Sequence, residues 1–546
     1  MKIALAQLNY HIGDFNLNTQ KIITAINDAR QRGADLIVFA ELAVCGYPPR
    51  DFLEFSEFIE LCEKSAKQIA EACFGIACII GLPTKNPKVD GKDLFNSAYF
   101  IENGNVKAVA NKALLPNYDV FDEYRYFEPA VDFKCVDFMG YKIALTVCED
   151  LWNINDNPMY VTCPMDVLIK EKPDLMINIA ASPFAYNHDE ERVLILGDNC
   201  RKYNLPLFYV NQVGAQTEII FDGGSLAFDQ AGLLLDEMPY FAEELRVYEF
   251  ENGKVKGYTP KVHDAQNDIE QIHEALVLGI RDYFQKSGFS KAILGLSGGI
   301  DSALVCALAA EALGPGNVMA VLMPSEFSSD HSILDALNLV KNLGCKHEVI
   351  PIKEAAIAFE QMMKPVFKDL PFSVAEENIQ ARSRAIIVMA MSNKFGYILL
   401  NTSNKSECAV GYGTLYGDMA GAIGVLGDVY KTQVYKLANY MNREREVIPQ
   451  NSIIKPPSAE LRPGQKDSDS LPEYDILDSI LFQYIELKKS SSSIIKQGFD
   501  EAIVKRVLRM VNTAEFKRYQ TPPILRVSPK AFGMGRRMPI VGKYLS

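Results

Sequence analysis

The first half of the chain alternates short apolar runs, which favour β-strands, with longer stretches whose apolar residues recur at helical spacing. Strands are predicted at Lys2–Gln7 and 35–40, with a helix between them at about 18–32. Segments 97–101 and 106–111 flank a Glu-Asn-Gly-Asn turn and predict a hairpin. Further strands are predicted at 78–82, Tyr141–Val147, 175–179, Leu207–Asn211 and 225–228. Because strand directions are mixed, we expect an α/β fold in which helices cover a sandwich of sheets.

The periodic pattern lapses into a polar run at 253–267. We therefore expect two domains, 1–252 and 268–546, joined by a linker at 253–267. After the linker, a helix at Asp268–Lys286 precedes a strand, a Gly-rich turn, a helix and a second strand, which are predicted at Ala292–Gly295, 296–301, 302–313 and 318–323. This succession is typical of a βαβ unit in a doubly wound, Rossmann-like parallel sheet. The segment 455–474, rich in Pro, Ser and Gly, is predicted as a long loop.

Composition narrows the class of protein. The 546 residues are 48% hydrophobic and 23% charged, which is typical of folded soluble chains. With 56 Lys plus Arg against 69 Asp plus Glu, the net charge of −13 argues against a general electrostatic grip on nucleic acid. There is no signal-peptide core and no apolar run long enough to span a bilayer, so we expect a cytoplasmic protein without membrane contact. The 11 scattered cysteines include no Cys-x-x-Cys pair, which argues against a disulfide framework or a zinc cluster.

The run Ser-Gly-Gly-Ile-Asp-Ser at 297–302 lies between a predicted strand and a predicted helix. Glycines let backbone N–H groups approach an anion, and the helix N-terminus adds partial positive charge, so the run favours phosphate binding. A simpler alternative is a strand-to-helix turn capped by Asp301 or Ser302. The run matches neither of the two common phosphate-loop patterns, Gly-x-x-x-x-Gly-Lys-Ser/Thr and Gly-x-Gly-x-x-Gly.

This run resembles the pyrophosphate loop of the ATP pyrophosphatases. Four further stretches resemble the NAD synthetases within that class: Glu-Asn-Ile-Gln-Ala-Arg at 377–382, Asn-Thr-Ser-Asn-Lys-Ser-Glu at 401–407, Gly-Asp-Val-Tyr-Lys-Thr-Gln-Val at 427–434 and Pro-Pro-Ser-Ala-Glu-Leu at 456–461. The resemblance implies an ATP site at Gly295, Leu296, Ser297, Gly298, Gly299, Ile300, Asp301, Ser302 and Thr402. It also implies Mg²⁺ binding by Asp301 and Glu407, and deamido-NAD binding by Asn378, Glu407 and Lys517. Two carboxylates facing a triphosphate suit a hard cation that keeps most of its waters.

Three residues of the first half whose side chains could take part in catalysis lie at predicted strand ends. Glu41 and Cys148 each follow an apolar run, and Lys112 closes the predicted hairpin. A buried glutamate beside a cysteine can take the thiol proton, and an ammonium can stabilise the oxyanion formed when the thiolate attacks an amide. Taken singly, each has a structural explanation: Cys148 as a buried apolar thiol, Glu41 as a cap and Lys112 as a solvated tip.

The surrounding stretches 39–42, 112–125 and 147–152 resemble, in this order, the three signatures of the nitrilase superfamily of carbon–nitrogen hydrolases. The resemblance implies a four-layer α-β-β-α sandwich. It makes Glu41 the general base, Lys112 the oxyanion stabiliser and Cys148 the nucleophile. Tyr118, Ser182 and His188 are the implied glutamine contacts, although His188 stands where a Lys or Arg is usual. Glu123 assists the base or pairs with Lys112, and the sequence leaves both readings open.

In this order, the two halves resemble the glutamine-dependent NAD synthetases. The resemblance implies a homo-oligomeric ligase that hydrolyses glutamine through a Cys thioester and uses the ammonia to amidate deamido-NAD, with ATP and Mg²⁺. Two alternatives stay open at this point. The first half could be a non-catalytic module of an ammonia-dependent synthetase, or the second half could adenylate another acceptor, such as a purine nucleotide or a tRNA base. Intact Glu41, Lys112 and Cys148 argue against the former, and the 401–407 stretch argues against the latter.

Overall fold

The chain forms two compact units, Met1–Gln266 and Asn267–Ser546. The structure, a computed structural model, describes residues 1–154, 158–263 and 267–544. Within these ranges, no helix combines the length and the apolar character that crossing a membrane requires.

In the described residues of the first unit, 1–154 and 158–263, there are fifteen strands and four α-helices. The strands are β1 Lys2–Gln7, β2 Leu36–Val38, β3 Ala77–Lys85, β4 Leu94–Glu102, β5 Asn105–Asn111, β6 Val136–Phe138, β7 Tyr141–Val147, β8 Leu175–Ala180, β9 Leu207–Asn211, β10 Val213–Gln216, β11 Ile219–Asp222, β12 Leu226–Phe228, β13 Leu234–Glu237, β14 Glu244–Glu251 and β15 Lys254–Lys256. The helices are α1 Phe15–Gln31, α2 Ser56–Ala72, α3 Pro164–Leu168 and α4 His188–Tyr203.

Two large sheets of mixed direction organise this unit. Their strand orders are β15-β14-β1-β2-β3-β4-β5 and β13-β12-β9-β8-β7-β6. Ile3 and Leu5 of β1 pack in a core shared with strands of the second sheet, whereas Ala4 points to the opposite face with Ile22 of α1. Alternate residues of one strand thus face two different cores. Residues of α3 and α4 join the core on the second sheet, so the predicted four-layer α-β-β-α arrangement is confirmed.

The start of the predicted linker has regular structure. Residues Lys254–Lys256 form β15, which pairs antiparallel with β14. Val255 is buried in the core between the sheets, so the backbone ladder and one apolar side chain hold this segment in the first unit. The local sequence, Gly-Lys-Val-Lys-Gly, is too short and too polar to give a clear alternation signal.

The described part of the second unit, residues 267–544, contains a parallel sheet and twelve α-helices. Its strands are β16 Ala292–Gly295, β17 Val318–Leu322, β18 Lys346–Val349, β19 Ile398–Asn401 and β20 Ile423–Gly424. Its helices are α5 Asp268–Lys286, α6 Ile300–Leu313, α7 Asp330–Leu343, α8 Lys353–Phe367, α9 Val374–Phe395, α10 Lys405–Val410, α11 Lys431–Met441, α12 Gln450–Ile454, α13 Tyr474–Ile485, α14 Ser491–Ile495, α15 Glu501–Thr513 and α16 Glu515–Arg518.

The order of the strands in this sheet predicts where a ligand would bind. The strands lie in the order β18-β17-β16-β19-β20 and all pair in parallel. The chain therefore builds outward from β16 in one direction and then resumes on its other side with β19. In a doubly wound sheet, ligands bind where the strand order reverses, at the carboxyl ends of the strands. The glycine-rich run at 297–302 follows β16 at this position.

Candidate active site

Glu41, Lys112 and Cys148 all lie just beyond strand ends. Glu41 follows β2, Lys112 directly follows β5 in the same sheet, and Cys148 directly follows β7 in the facing sheet. Cys148 has φ 44° and opens a 3₁₀ turn at Cys148–Leu151. A positive φ at a non-glycine residue is strained, and such strain occurs at functional sites that the surrounding structure enforces.

Lys112 and Glu41 form a fully buried ion pair. Lys112 Nζ donates to Glu41 Oε1 at 2.7 Å and to Glu123 Oε1 at 2.8 Å, and both Lys112 and Glu41 have 0% exposure. Tyr47 OH also donates to Glu123 Oε1, at 2.8 Å. Glu123 therefore pairs with the lysine, which is one of the two roles that the sequence left open.

The electrostatics of this cluster keep the lysine charged. Burial opposes the charge on Lys112, but Glu123 and Glu41 outweigh burial and raise the pKa of Lys112 well above its usual value. Burial raises the pKa of Glu123 to about 7, with Lys112 opposing the shift and Glu41 adding to it. The raised pKa keeps Lys112 protonated, and Glu123 can hold a proton near neutral pH.

Cys148 is held as a thiol until a base acts on it. Burial, followed by the negative charge of Glu41, raises the pKa of Cys148 well above that of a free cysteine, although Lys112 opposes the shift. Because the thiolate is the reactive form, attack on a substrate requires transfer of this proton. The carboxylate of Glu41 supplies an acceptor in the same buried cluster.

Asp150 ties the lysine segment to the cysteine turn. Its Oδ1 accepts from the backbone N–H groups of Ala113 and Leu114, both at 3.0 Å, and its Oδ2 accepts from Val147 N at 3.0 Å. Burial raises the pKa of Asp150 to about 6, and the three N–H donors oppose that shift. One carboxylate thereby fixes the residues next to Lys112 against the residue before Cys148.

The three predicted glutamine contacts lie in two neighbouring groups. Tyr118 OH donates at 2.9 Å to Oε1 of Glu149, which directly follows Cys148 in the chain. Ser182 Oγ lies 3.4 Å from His188 Nε2. The ring of Trp152 stacks on the His188 imidazole, with centroids 5.2 Å apart and an interplanar angle of 11°.

Gly81 of β3 allows the backbone around Glu41 to pass close to β3, and the sequence analysis did not identify it. A Cβ at this position would lie 2.3 Å from Leu42 N and 2.8 Å from Glu41 C, so the backbone around Glu41 passes directly over the glycine. A glycine inside the apolar run 78–82 is the signal that could have revealed this close approach. Tyr47, Asn96 and Asp150 were missed as well, since single polar residues give no such local signal.

The glycine-rich run after β16 is a tight loop. Gly298 has φ 82°, and a Cβ there would lie 2.1 Å from Ser332 O. Ser297 Oγ accepts from Gly299 N at 3.2 Å and lies 3.0 Å from Ser302 Oγ. Only glycine fits at position 298, because both the backbone angle and the neighbouring carbonyl exclude a side chain.

This loop borders a cavity of about 570 Å³. The predicted phosphate-binding residues that line it are Gly295, Leu296, Ser297, Gly299, Ile300, Asp301 and Ser302. Thr402, Glu407 and Lys431 also line the cavity. The structure thus brings the predicted loop, Thr402 and Glu407 to one cavity.

Two acidic residues and one lysine, Asp301, Glu407 and Lys431, interact in the lining of this cavity. Asp301 is ion-paired with Lys431 Nζ, and Asp301 Oδ1 accepts from Asn404 Nδ2 at 2.9 Å. Burial and the charge of Asp301 raise the pKa of Glu407 well above its usual value, with Lys431 opposing. Lys431 lies in the stretch 427–434, and the sequence pattern there predicts no role for it.

The donor set at Asp301 and Glu407 fits Mg²⁺ bound mainly through substrate phosphates. Among the residues that the structure describes, no group of three or more His, Cys, Asp or Glu side chains is arranged to hold a metal. Mg²⁺ commonly uses one or two carboxylates and takes its other ligands from phosphate and water. A pair of carboxylates beside a phosphate loop meets that requirement.

Asn378 and Lys517 are engaged outside this cavity lining. Asn378 Oδ1 accepts from Thr414 Oγ1 at 2.7 Å. Lys517 Nζ donates to Gly411 O at 2.8 Å and to Gly413 O at 2.7 Å, just beyond the end of α10. Burial lowers the pKa of Lys517.

Comparison with known proteins gives two consecutive family matches. The model described as carbon-nitrogen hydrolase matches residues 2–258, and the model described as NAD synthase matches residues 272–521. The order agrees with the division of the structure into two units.

Full-length relatives share both halves. The glutamine-dependent NAD(+) synthetase of Synechocystis sp. is 47% identical over 98% of this chain and 98% of its own. The protein of the same name from Acinetobacter baylyi is 43% identical over 99% of this chain and 98% of its own. The solved structure of glutamine-dependent NAD+ synthetase from Acinetobacter baumannii, in complex with ADP, is 39% identical, covers 100% of this chain and 99% of its own, and gives a TM-score of 0.79.

The close packing over Gly81 generates a prediction. We expect Gly81→Ala to displace the backbone of Glu41, because the new methyl group would lie 2.3 Å from Leu42 N. The free energy of unfolding should fall by about 1–3 kcal/mol, the usual cost of overpacking. Iodoacetamide should alkylate Cys148 more slowly than in the native protein, as measured by mass spectrometry of the Cys148 peptide.

Gly140→Ala is the control for this experiment. Gly140 also lies in the first unit, with φ 81° and no atom within 4 Å of an added Cβ. It should lower stability through backbone strain and leave the alkylation rate of Cys148 unchanged. Equal alkylation rates in Gly81→Ala and the native protein would contradict a positioning role for Gly81.

Proposed function

The chain belongs to the family of glutamine-dependent NAD(+) synthetases, and we propose that it makes NAD from deamido-NAD with ATP and glutamine as co-substrates. The family expected from the sequence motifs is thereby confirmed. The observation that carries the proposal for this chain is the buried Glu41–Lys112 pair, with an O–N distance of 2.7 Å, in the same cluster as the strained Cys148. If the first unit were a non-catalytic module of an ammonia-dependent synthetase, these buried charges would serve no reaction, although burying them costs free energy.

In the first unit, Cys148 attacks the side-chain amide of glutamine. Glu41 takes the thiol proton, and the Lys112 ammonium stabilises the oxyanion that forms on the amide carbon. The carbon–nitrogen bond then breaks, the nitrogen takes the proton from Glu41, and ammonia leaves behind a thioester. Water, deprotonated by Glu41, hydrolyses the thioester to glutamate and restores the thiol.

In the second unit, the carboxylate of deamido-NAD attacks the α-phosphorus of ATP and pyrophosphate leaves. The backbone N–H groups of the 297–302 loop and the N-terminus of α6 stabilise the charge on the departing phosphates. Ammonia then attacks the acyl-adenylate, which yields NAD and AMP. We assign Thr402 to the nucleotide, and Asn378, Glu407 and Lys517 to deamido-NAD.

Mg²⁺ would be held by Asp301 and Glu407, and when bound it would neutralise phosphate charge. Lys431 offers a second cation to the same region, because its side chain lines the cavity beside Asp301. We also propose that the active form is a homo-oligomer, which light scattering coupled to size-exclusion chromatography measures directly.

Cys148→Ala separates the two activities. We expect this variant to lose NAD formation driven by glutamine and to keep NAD formation driven by ammonium, because only the first reaction needs the thiol. NAD is measured after incubation with deamido-NAD, ATP and Mg²⁺ and either nitrogen donor. Retention of both activities would show that the first unit is not the nitrogen source. Absence of NAD from either donor in the native protein would refute the substrate assignment.

Gly298→Ala tests the other unit. The added methyl group would lie 2.1 Å from Ser332 O at a residue with φ 82°. We expect NAD formation to fall about 100-fold with either donor, since displacing a loop by about 1 Å has effects of that order. Glutamine hydrolysis should remain. Gly316→Ala is the matched control, because its Cβ meets nothing within 4 Å; an equal loss there would mean that the effect is not local.

Trp152 offers an optical test of the glutamine site. It is the single tryptophan of the chain and stacks on His188. We expect glutamine to change the tryptophan emission of the Cys148→Ala variant in a saturable way. Adding Ser182→Ala should weaken the apparent affinity by up to about tenfold, the value of one hydrogen bond. An emission that responds to ATP and not to glutamine would contradict the placement of glutamine beside Ser182 and His188.

A further inference from the structure

Asn96 of β4 contacts both carboxylates of the buried cluster. Its Nδ2 donates to Glu41 Oε1 at 2.7 Å and to Glu123 Oε2 at 3.2 Å. The residue has 0% exposure. A primary amide nitrogen carries two N–H donors in a fixed plane, so a single group can bind two acceptors at a set angle.

The negative charges of Glu41 and Glu123 fix the orientation of the Asn96 amide. In the reverse orientation, Asn96 Oδ1 would face two carboxylates. In the observed orientation, Oδ1 has no hydrogen-bond partner within the described parts of the chain. An unsatisfied buried carbonyl costs free energy. The fold accepts that cost here and keeps both N–H groups on the acidic residues.

The backbone of Asn96 also fixes the lysine. Asn96 O accepts from Lys112 N at 2.8 Å. Side chain and backbone of one residue therefore contact Glu41, Glu123 and Lys112.

The two oxygens of Glu41 are not equivalent. Oε1 accepts from both Asn96 Nδ2 and Lys112 Nζ, each at 2.7 Å. Among the described residues, Oε2 accepts from one donor, Ala181 N, at 3.0 Å. Because each carboxylate oxygen has two lone pairs, Oε1 is fully occupied and Oε2 retains one lone pair.

We propose that Asn96 is a positioning residue for glutamine hydrolysis. By occupying Oε1 of Glu41 together with Lys112, it directs the free lone pair of Oε2 toward proton transfer. This inference rests on the proposed function, in which Glu41 is the base for Cys148. Asn96 itself acts through Glu41 and touches no reacting atom.

The charges around Glu41 set the expected pH dependence. The titratable groups that face it are Lys112, Glu123, Tyr47, Cys148 and Glu149. Loss of the Asn96 donors removes stabilisation of ionised Glu41, and a third carboxyl group in the cluster would oppose its ionisation further. Both changes disfavour the carboxylate form of Glu41 relative to its neutral form.

Two variants test this. Asn96→Asp keeps the shape and replaces the amide nitrogen by a carboxyl oxygen, and Asn96→Leu keeps the approximate shape without any donor. We expect the acid limb of the kcat profile for glutamine hydrolysis to move upward in both, by about one pH unit or more in Asn96→Asp. At pH values below the native midpoint of the acid limb the latter would be about tenfold slower, because one pKa unit is a factor of ten. Activity should recover toward alkaline pH, with KM for glutamine little changed.

Asn199→Asp is the matched control. Asn199 is also buried, and its Nδ2 donates to the backbone carbonyls of Leu151 and Ile195. It should lower stability and leave the midpoint of the acid limb unchanged. A uniform loss of kcat at all pH values in the Asn96 variants, with an unmoved acid limb, would refute the positioning role and indicate a structural one.

The rate of Cys148 alkylation by iodoacetamide, followed over the same pH range, separates this inference from the proposed function. If the native protein hydrolyses no glutamine, the function fails, and the alkylation profile still tests Asn96. An upward shift of that profile in both variants supports the inference. An identical profile in native protein and variants overturns it. NAD formation driven by ammonium confirms in each case that the second unit is folded.

Discussion

The first unit depends on one buried positive charge. The ammonium of Lys112 is fully buried between Glu41 and Glu123, at 2.7 and 2.8 Å. An ion without partners in this place would cost several kcal/mol, and removing one member of such a pair typically costs about 3–5 kcal/mol. The ends of β2 and β5 and the segment around Glu123 must therefore stay together for the fold to be stable. The same requirement brings the chemical groups into reach of Cys148, so stability and catalysis constrain the same atoms.

The second unit also keeps a buried cation charged, beside its phosphate loop. Lys431 is buried against Asp301, whose side chain also faces the cavity. Burial opposes the charge on Lys431, and Asp301 and Glu407 outweigh it, so its pKa lies above the usual value. A site for a polyanion needs cations that stay charged before the ligand arrives. Pairing with carboxylates keeps such a cation in a buried position, and those carboxylates are also suitable metal ligands.

Local patterns in the sequence predicted the parts of the structure that depend on local chemistry. The apolar runs in Tyr141–Val147 and Ala292–Gly295 match the observed strands, and the glycine-rich run at 297–302 lies where its flanking elements indicated. Partners distant in sequence were not predictable in this way. Glu41 lies 55 residues from Asn96 and 140 from Ala181, and nothing near Asn96 distinguishes it from an ordinary strand residue. The amide acquires its role only when two strands and a loop converge.

Proton balance explains why two glutamates accompany one lysine. With both carboxylates ionised, the Glu41–Lys112–Glu123 cluster carries a net negative charge in a buried place, and a further charge on Cys148 would add to it. Because burial raises the pKa of Glu123 to about 7, this residue can hold a proton near neutral pH, which leaves Lys112 balanced by Glu41 alone. In that state, transfer of the thiol proton to Glu41 creates a thiolate beside an ammonium whose other carboxylate partner is neutral. The positive charge of Lys112 is then available to the thiolate and to the oxyanion that follows, so protonation of Glu123 favours the reacting state of the site.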